Sequence, residues 1–332
     1  MRASRRQFVQ GVGLAGLGLV AGCGRLPAQI GAPRAALHRI GFLAASSRQP
    51  YHDGLLWGLH DLGYVEGQNL AVEWRFTGGT LDGLREAARE LVTMPVEIIV
   101  VPAETPARVI GEVSRTTPVV MARSLDPIGQ GLAASLARPG GNFTGLTFMG
   151  IILAPKRLEL VRDALPHISR IALLSDTSNP INTRAVTETQ DAAHILGMQM
   201  QPIEFRTVAQ YQDALESAMR ERADALVILA GPFFDANRKE MSGLTRAAGF
   251  ASISDEREWA LEGGLMAYGP NLAAAYRRAA AYVDKILKGA SPADLPIEQP
   301  TTFDFVINLK TAQALGLTIP EHVLLQATEV IQ

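Results

Sequence analysis

Cysteine is nearly absent from this 332-residue chain, since Cys23 is the only one. A single cysteine cannot close a disulfide within the chain, so the fold cannot depend on a disulfide framework. Long hydrophobic runs are also missing after Cys23, where no apolar stretch reaches the roughly 18 residues that a membrane-spanning helix needs. The composition, 47% hydrophobic and 19% charged, is that of a globular protein rather than a disordered chain.

An excess of positive charge and the common catalytic motifs are missing as well. The formal net charge is −2, which argues against nucleic acid as a partner, because nucleic-acid binding asks for a basic face. The sequence contains no G-x-S-x-G, no H-E-x-x-H and no G-x-x-x-x-G-K-[ST] motif. Its six histidines are scattered along the chain. We therefore expect a protein that is not an enzyme and that has no metal site and no cofactor.

The first 22 residues have the layout of an export signal. They hold three arginines and no acidic residue, and an apolar segment follows the arginines. Residues 4–9, SRRQFV, resemble the twin-arginine export motif, and residues 20–23, VAGC, resemble a bacterial lipobox. We predict a signal peptide over 1–22 that is cleaved before Cys23, with a lipid anchor on the thiol of Cys23. Residues 23–37 are rich in Ala, Pro and Gly and are predicted to form a flexible tether.

From Arg39 onward the chain alternates short apolar runs with segments of helical period. The run VEIIVVP, 96–102, is continuously apolar, as in a strand that is buried on both faces of a parallel sheet. This alternation predicts an α/β protein whose parallel sheets are covered by helices on both faces. The rhythm occurs twice, which predicts two similar lobes. Their strand ends would face each other across a cleft that closes by a hinge motion.

Polar and aromatic residues follow the predicted strands, at the edge where open parallel sheets bind ligands. Thr105 is predicted to cap a helix whose free N–H groups would suit an anion, and Asp126, which follows a strand, would accept hydrogen bonds from an ammonium group. The same residues would equally suit helix caps or core packing. The candidate ligand-binding residues are Ser46, Ser47, Thr105, Asp126, Asn179, Phe233, Asp255 and Tyr268.

Long stretches of the body resemble one known family. They include LGYVEGQNL at 62–70, DPIGQGLAASLARPGGNFTGLTF at 126–148 and INLKTAQALGLTIP at 307–320. In these stretches the sequence is similar to the solute-binding lipoproteins of ABC transporters, in the group that includes tryptophan- and tyrosine-type binding proteins. The resemblance implies the type I periplasmic binding protein fold, with two Rossmann-like lobes joined by three crossings. We place the first lobe at 38–148 plus about 265–297, and the second at 149–264 plus about 298–332.

The resemblance also implies a function. The protein would capture a small solute, such as an aromatic or related amino acid, between its lobes and deliver it to a membrane permease with its ATPase. It would act as a monomer in the periplasm, held to a membrane by the lipid on Cys23. A ligand-sensing input protein and a periplasmic enzyme are the alternatives on the same scaffold.

The predicted pocket departs from the family pattern at one helix start. Glu104-Thr105-Pro106 stands where Gly-Thr-Pro is usual in the family. A carboxylate at this point would oppose the carboxylate of a ligand if it pointed into the pocket.

Overall fold

Two β-sheets organise the residues that the computed structural model describes, which are 37–78, 80–149, 152–179 and 181–332. Residues 37–332 fall within a single compact unit. The predicted signal peptide, Cys23 and nearly all of the predicted tether lie outside the described residues. None of the described helices is long and apolar enough to cross a membrane.

Among the described residues, the first sheet has five parallel strands in the order β2-β1-β3-β4-β5. The strands are β1 (His38–Ala44), β2 (Leu70–Phe76), β3 (Ile98–Val101), β4 (Val119–Ser124) and β5 (Phe143–Thr147). The connecting helices are α1 (Asp53–Asp61), α2 (Leu81–Thr93) and α3 (Glu104–Val113). All four residues of β3 are buried, because α2 and α3 cover one face of the sheet and α1 covers the other.

Over the same described residues, the second sheet has seven strands in the order β12-β11-β10-β9-β8-β6-β7. The strands are β6 (Arg170–Asp176), β7 (Gln199–Phe205), β8 (Ala225–Leu229), β9 (Ala251–Ser254), β10 (Met266–Pro270), β11 (Phe303–Asn308) and β12 (Glu329–Ile331). The helices are α4 (Ala154–Ala164), α5 (Asn182–Ile195), α6 (Val208–Arg220), α7 (Pro232–Ala247), α8 (Arg257–Leu261), α9 (Leu272–Leu287), α10 (Leu309–Ala314) and α11 (Glu321–Leu324).

The predicted α/β class, with parallel sheets in two lobes, is confirmed. One strand pair departs from the parallel pattern, since β10 and β11 run antiparallel. This pair is antiparallel because the chain leaves the second sheet at the carboxyl end of β10 and re-enters it at that same edge, where Phe303 pairs with Pro270. Between these two strands α9 packs on α1 and β4 of the first lobe.

The second crossing between the lobes lies later than the sequence predicts. Residues from about 265 were expected in the first lobe, but β10 (Met266–Pro270) pairs with β9 and β11 in the second sheet. The chain enters the first lobe only with α9. The predicted boundary between residues 264 and 265 follows Gly263 and Gly264, which lie in the turn between α8 and β10. A glycine pair is typical of a tight turn and of a crossing alike, so the sequence could not separate the two.

Close contact between α1 and α9 covers one face of the first sheet. Gly54 and Gly58 lie one helical turn apart on the face of α1 that meets α9. A Cβ atom on Gly54 would lie 2.4 Å from the carbonyl oxygen of Ala273, and one on Gly58 would lie 2.6 Å from that of Arg277. The two helix backbones can approach this closely only because both positions are glycine.

Candidate ligand-binding cleft

A cavity of about 40 Å³ lies between the two lobes, at the carboxyl ends of their strands. From the first lobe it is lined by Ser46 after β1, Thr105 after β3 and Arg123 in β4. From the second lobe it is lined by Asn179 after β6 and by Asp235 in the first turn of α7. The fold thus brings three of the residues predicted from the sequence, Ser46, Thr105 and Asn179, to one cavity at the edge where such sheets bind ligands.

Four ionisable side chains form a largely buried network at this cavity: Arg123, Asp235, Arg238 and Glu256. Arg123 donates from Nη1 to Glu256 Oε1, a contact that joins β4 of the first lobe to the second lobe. Arg238 donates from Nη2 to Glu256 Oε2 at 3.1 Å and to Asp235 Oδ1 at 3.3 Å. The Glu256 side chain has no exposed surface, so two guanidinium groups replace water around its charge.

The two carboxyl groups of this network have pKa values shifted in opposite directions. Burial raises the pKa of Asp235 well above its ordinary value, and the nearby Glu256 carboxylate raises it further. Burial also favours the neutral form of Glu256, but Arg123 and Arg238 outweigh burial and hold its pKa below the ordinary range. Of this pair, Asp235 therefore keeps its proton to higher pH than Glu256 does.

The ring of Tyr51 belongs to the wall of the cavity on the first lobe, and other aromatic rings pack against it. Tyr51 lines the cavity and stacks on Tyr276 of α9, with 5.6 Å between the ring centroids. His52 lies against both rings, at 4.8 and 5.1 Å between centroids. Burial, followed by the charge of Arg123, lowers the pKa of His52 to about 3. The backbone N–H of Gln49 donates to His52 Nδ1 at 3.1 Å, so the neutral imidazole carries its proton on Nε2.

The helix start at Glu104 differs from the prediction. Helix α3 begins at Glu104, and the residue before it is the N-cap, so Thr105 lies in the first turn and the predicted cap at Thr105 is wrong. The Glu104 carboxylate folds back toward the end of β4. Its Oε1 accepts hydrogen bonds from the Ser124 hydroxyl at 2.8 Å, from the backbone N–H of Leu125, and from that of Asp126 at 3.0 Å.

Asp126, another predicted residue, lines a second and larger cavity rather than the first. This cavity has a volume of about 420 Å³ and also takes residues from both lobes, among them Met149 and Arg184. The Asp126 carboxylate accepts from Arg184 Nη1 at 2.6 Å and from the backbone N–H of Gly129 at 2.9 Å. Asp126 therefore forms an ion pair between the lobes and closes a turn.

Ser47 and Phe233 do not line the cavity. Ser47 is exposed and accepts a hydrogen bond from the Gln49 side chain at 3.3 Å. Phe233 packs against the core of the second lobe, and its ring centroid lies 6.4 Å from that of Phe205. Its backbone N–H donates to the Ser178 hydroxyl at 3.1 Å, which ties the start of α7 to the loop after β6.

Asp255 and Tyr268 form a separate cluster on the second lobe. Both interact electrostatically with Arg157 of α4, a buried side chain whose pKa is lowered by burial. Burial raises the pKa of Asp255, while Arg157 lowers it in part. The Tyr268 ring stacks on Phe303 at 6.4 Å between centroids. These two residues therefore do not join Ser46, Thr105 and Asn179.

Four lining residues with polar or charged side chains were not among the predicted ligand contacts: Tyr51, Glu104, Arg123 and Asp235. Arg123 carried a signal in the sequence, since it is the only charged residue in the strand VVMARS. A charge inside an otherwise apolar strand asks for a buried partner. Asp235 is in the first turn after β8, where an acidic residue reads as a helix-start residue. Tyr51 precedes α1 in a short 3-10 helix, Pro50–His52.

The chain matches a known family and known structures over most of its length. A family model described as "ABC transporter substrate binding protein" matches residues 40–331. A tyrosine-binding protein of Clostridioides difficile (strain R20291) is 22% identical over 264 residues, which cover 80% of this chain and 76% of that protein.

Two solved structures are similar across both lobes. One is a conserved domain protein from Vibrio cholerae, with a TM-score of 0.82, and the other is an ABC domain in complex with L-Trp from Streptococcus pneumonia, with a TM-score of 0.81. Each is 25% identical to this chain and covers 89% of it, and the matches span 99% and 100% of those two chains.

Proposed function

We infer the role of the cleft from one premise: the chain belongs to the family of ABC transporter substrate-binding proteins. It binds a small-molecule solute and has the α/β fold of the type I periplasmic binding proteins. We assign the solute to the cavity between the lobes. The observation that carries this assignment is its lining, in which hydrogen-bonding groups, charges and the Tyr51 ring from both lobes converge at the strand ends.

The volume of this cavity implies movement of the lobes. Ligand pockets have volumes of roughly 300–1,000 Å³, whereas this cavity has about 40 Å³. A solute of amino-acid size would enter only when the lobes separate, and would be enclosed when they close. A transport partner that contacts both lobes would then bind the enclosed form preferentially, which couples solute capture to delivery.

Amino acids and related amines are the first solutes to test. Two of the relatives named above are described as a tyrosine-binding protein and as a domain in complex with L-Trp, and an aromatic ring, Tyr51, lines the cavity, where it suits an aromatic or cationic group. Ser46, Thr105 and Asn179 supply polar side chains around it. We propose these residues, together with Arg123 and Asp235, as the ligand-binding set.

Export and anchoring complete the proposal. The leader supports export, the lipobox supports a lipid anchor on Cys23, and the family supports an inner-membrane permease with its ATPase as the partners. The protein would work as a monomer outside the cytoplasm, held to a membrane and receiving solute from the periplasm.

A pair of cavity variants tests the assigned site. The mature chain is purified without denaturation, its bound solute is extracted and identified by mass spectrometry, and the apoprotein is screened by thermal shift. A solute at about 100 times its dissociation constant should add about 2.7 kcal/mol to the free energy of unfolding. Ser46→Trp, which fills the cavity, should abolish this gain, whereas Ser47→Trp at the exposed neighbouring position should retain it. Equal binding by both variants would place the solute elsewhere.

The lipid anchor has an independent test. Cells that express the full chain are labelled with a radioactive fatty acid, and the protein is followed into membrane and soluble fractions. Cys23→Ser should lose the label and leave the exported protein in the soluble fraction. Label that persists in Cys23→Ser would contradict the anchor without affecting the assigned solute site.

A further inference from the structure

Glu104 lines the cavity, so its carboxylate affects which chemical class of solute the cleft binds. We propose that its carboxylate fills an anion-binding site of the cleft wall, so that the protein selects solutes with a cationic amine and rejects those that bind through a free carboxylate. This inference rests on the proposed function, because it names the chemical class of solute for the same cavity.

The end of β4 forms a set of donors that suits a carboxylate. The Ser124 hydroxyl and the successive backbone N–H groups of Leu125 and Asp126 all point at one oxygen, Oε1 of Glu104. Successive N–H groups in a loop form a concave site that binds anions. Hydrogen bonds from such donors to an ionised carboxylate are about twice as strong as those between neutral groups.

The Glu104 carboxylate has an advantage over a free solute carboxylate at this site, because it is covalently attached to the protein. Its side chain is buried, and its carboxylate reaches the donors without losing the translational freedom that a free solute loses on binding. A tethered group competes at a high effective concentration. A solute carboxylate would therefore have to displace an anion that is already bound and then leave the Glu104 charge buried without its donors.

The second carboxylate oxygen of Glu104, Oε2, is available to accept a hydrogen bond from a solute. Glu104 lines the cavity, and within the described part of the chain its Oε2 accepts no hydrogen bond and forms no ion pair. Asn179 lines the same cavity from the opposite lobe. A cationic nitrogen beside Oε2 would meet a carboxylate oxygen from the first lobe and the amide side chain of Asn179 from the second, and the Tyr51 ring would stabilise the same charge through a cation–π contact.

The positive groups of the lining do not offer an alternative site for a carboxylate. Arg123 already donates to the buried carboxylate of Glu256 and lies over the Phe148 ring at 4.9 Å. The start of α3 is also a poor anion site, because Pro106 has no N–H to donate in its first turn. Glu104 itself, in the same turn, already complements the positive end of the helix.

Matched probes test the inference. Each set shares one side chain: tyramine, tyrosine and 3-(4-hydroxyphenyl)propionate form the first, and isoamylamine, leucine and 4-methylpentanoate form the second. Affinities are measured by calorimetry on the mature protein. The wild type should bind at least one amine, about tenfold or more tightly than the matching amino acid, and should not bind the carboxylate-only probes.

Two variants of Glu104 should change this order. Glu104→Gln keeps an oxygen for the three donors but removes the charge, so the preference for the amine should fall about tenfold. Glu104→Gly frees the donors, so the amino acid or the carboxylate-only probe should gain affinity. Glu112→Gln, an acidic residue on the same helix that pairs at the surface with Arg85 and Arg108, is the control and should keep the wild-type order.

Three results would overturn the inference. The first is a wild-type protein that binds an amino acid as tightly as its amine, and the second is a Glu104→Gln ratio equal to that of Glu112→Gln. In both, solute still binds and Ser46→Trp still blocks it, so the proposed function survives. The third is the absence of binding by every amine. If the solute that co-purifies with the protein is also insensitive to Ser46→Trp, the assigned site fails as well.

Discussion

Glu258 gives a pH dependence whose sign and size follow from the structure. It lies in α8, is buried, and its Oε2 has no hydrogen-bond partner among the described residues. Burial, and then the nearby Glu256 carboxylate, raise its pKa from the ordinary 4.5 to about 7. The folded protein therefore holds this proton more tightly than the unfolded chain does.

The sign of the effect follows from that difference. Because the pKa of Glu258 is raised by folding, its contribution to stability is complete below about pH 4.5 and is lost as the pH rises through about 7. Each pKa unit is worth 1.36 kcal/mol, so the free energy of unfolding should fall by about 3 kcal/mol between pH 4.5 and pH 8 through this one group. Asp235 and Asp255, whose pKa values are also raised, change stability in the same direction.

The variant Glu258→Gln isolates this contribution. Urea unfolding is measured every half pH unit from 4.5 to 8 for the wild type and the variant, and the two free energies are subtracted at each pH. We expect the variant to gain about 3 kcal/mol relative to the wild type across this range. Glu240→Gln, at an exposed position of α7, controls for the loss of one surface charge. A difference that does not change with pH would refute the assignment of a raised pKa to Glu258.

Two further substitutions test the fold at single atoms. Gly145→Ala should lower the free energy of unfolding by about 3 kcal/mol, since Gly145 has φ of +130° and a Cβ there would lie 2.1 Å from a backbone oxygen of β4. The control, Gly141→Ala, has open space around the added Cβ and should lower the free energy of unfolding far less. Asn271→Ala removes the cap of α9 and its hydrogen bond to Asp304, so it should cost about 2 kcal/mol, against about 1 kcal/mol for Thr80→Ala, which removes a cap alone. Both comparisons are made by thermal and urea unfolding, and equal losses within either pair would contradict the contacts described.

Elements of the fold could be predicted from the sequence wherever one local pattern had a single structural interpretation. The apolar run at 96–102 predicted a buried parallel strand, and β3 (Ile98–Val101) lies there with every residue buried. The point at which the chain returns to the first lobe was predicted too early in the sequence. The glycine pair Gly263 and Gly264 is typical of a turn and of a crossing between lobes alike. Nothing local in residues 266–270 indicates which sheet they join, since strand pairing depends on distant residues.

The candidate site was only partly predictable, because a sequence does not show where a side chain points. Ser46, Thr105 and Asn179 could be identified, since the loops after parallel strands meet at one edge of a sheet. Asp255 was selected, but it interacts with Arg157, whereas its neighbour Glu256 joins the network beside the cavity. Successive residues of an extended segment point in opposite directions, so a choice between adjacent acids needs the structure.

The glycine contact between α1 and α9 has a consequence for the order in which the lobes can fold during synthesis and for producing them as fragments. The first lobe is covered by a helix, Leu272–Leu287, that is synthesised after most of the second lobe, and the second sheet is completed only by Glu329–Ile331. Before α9 has been synthesised, this face of α1, with Gly54, Gly58 and the apolar side chains beside them, is not covered by its native partner. Neither lobe can therefore be produced as an uninterrupted fragment, and a chain that stops before residue 272 leaves both halves unfinished.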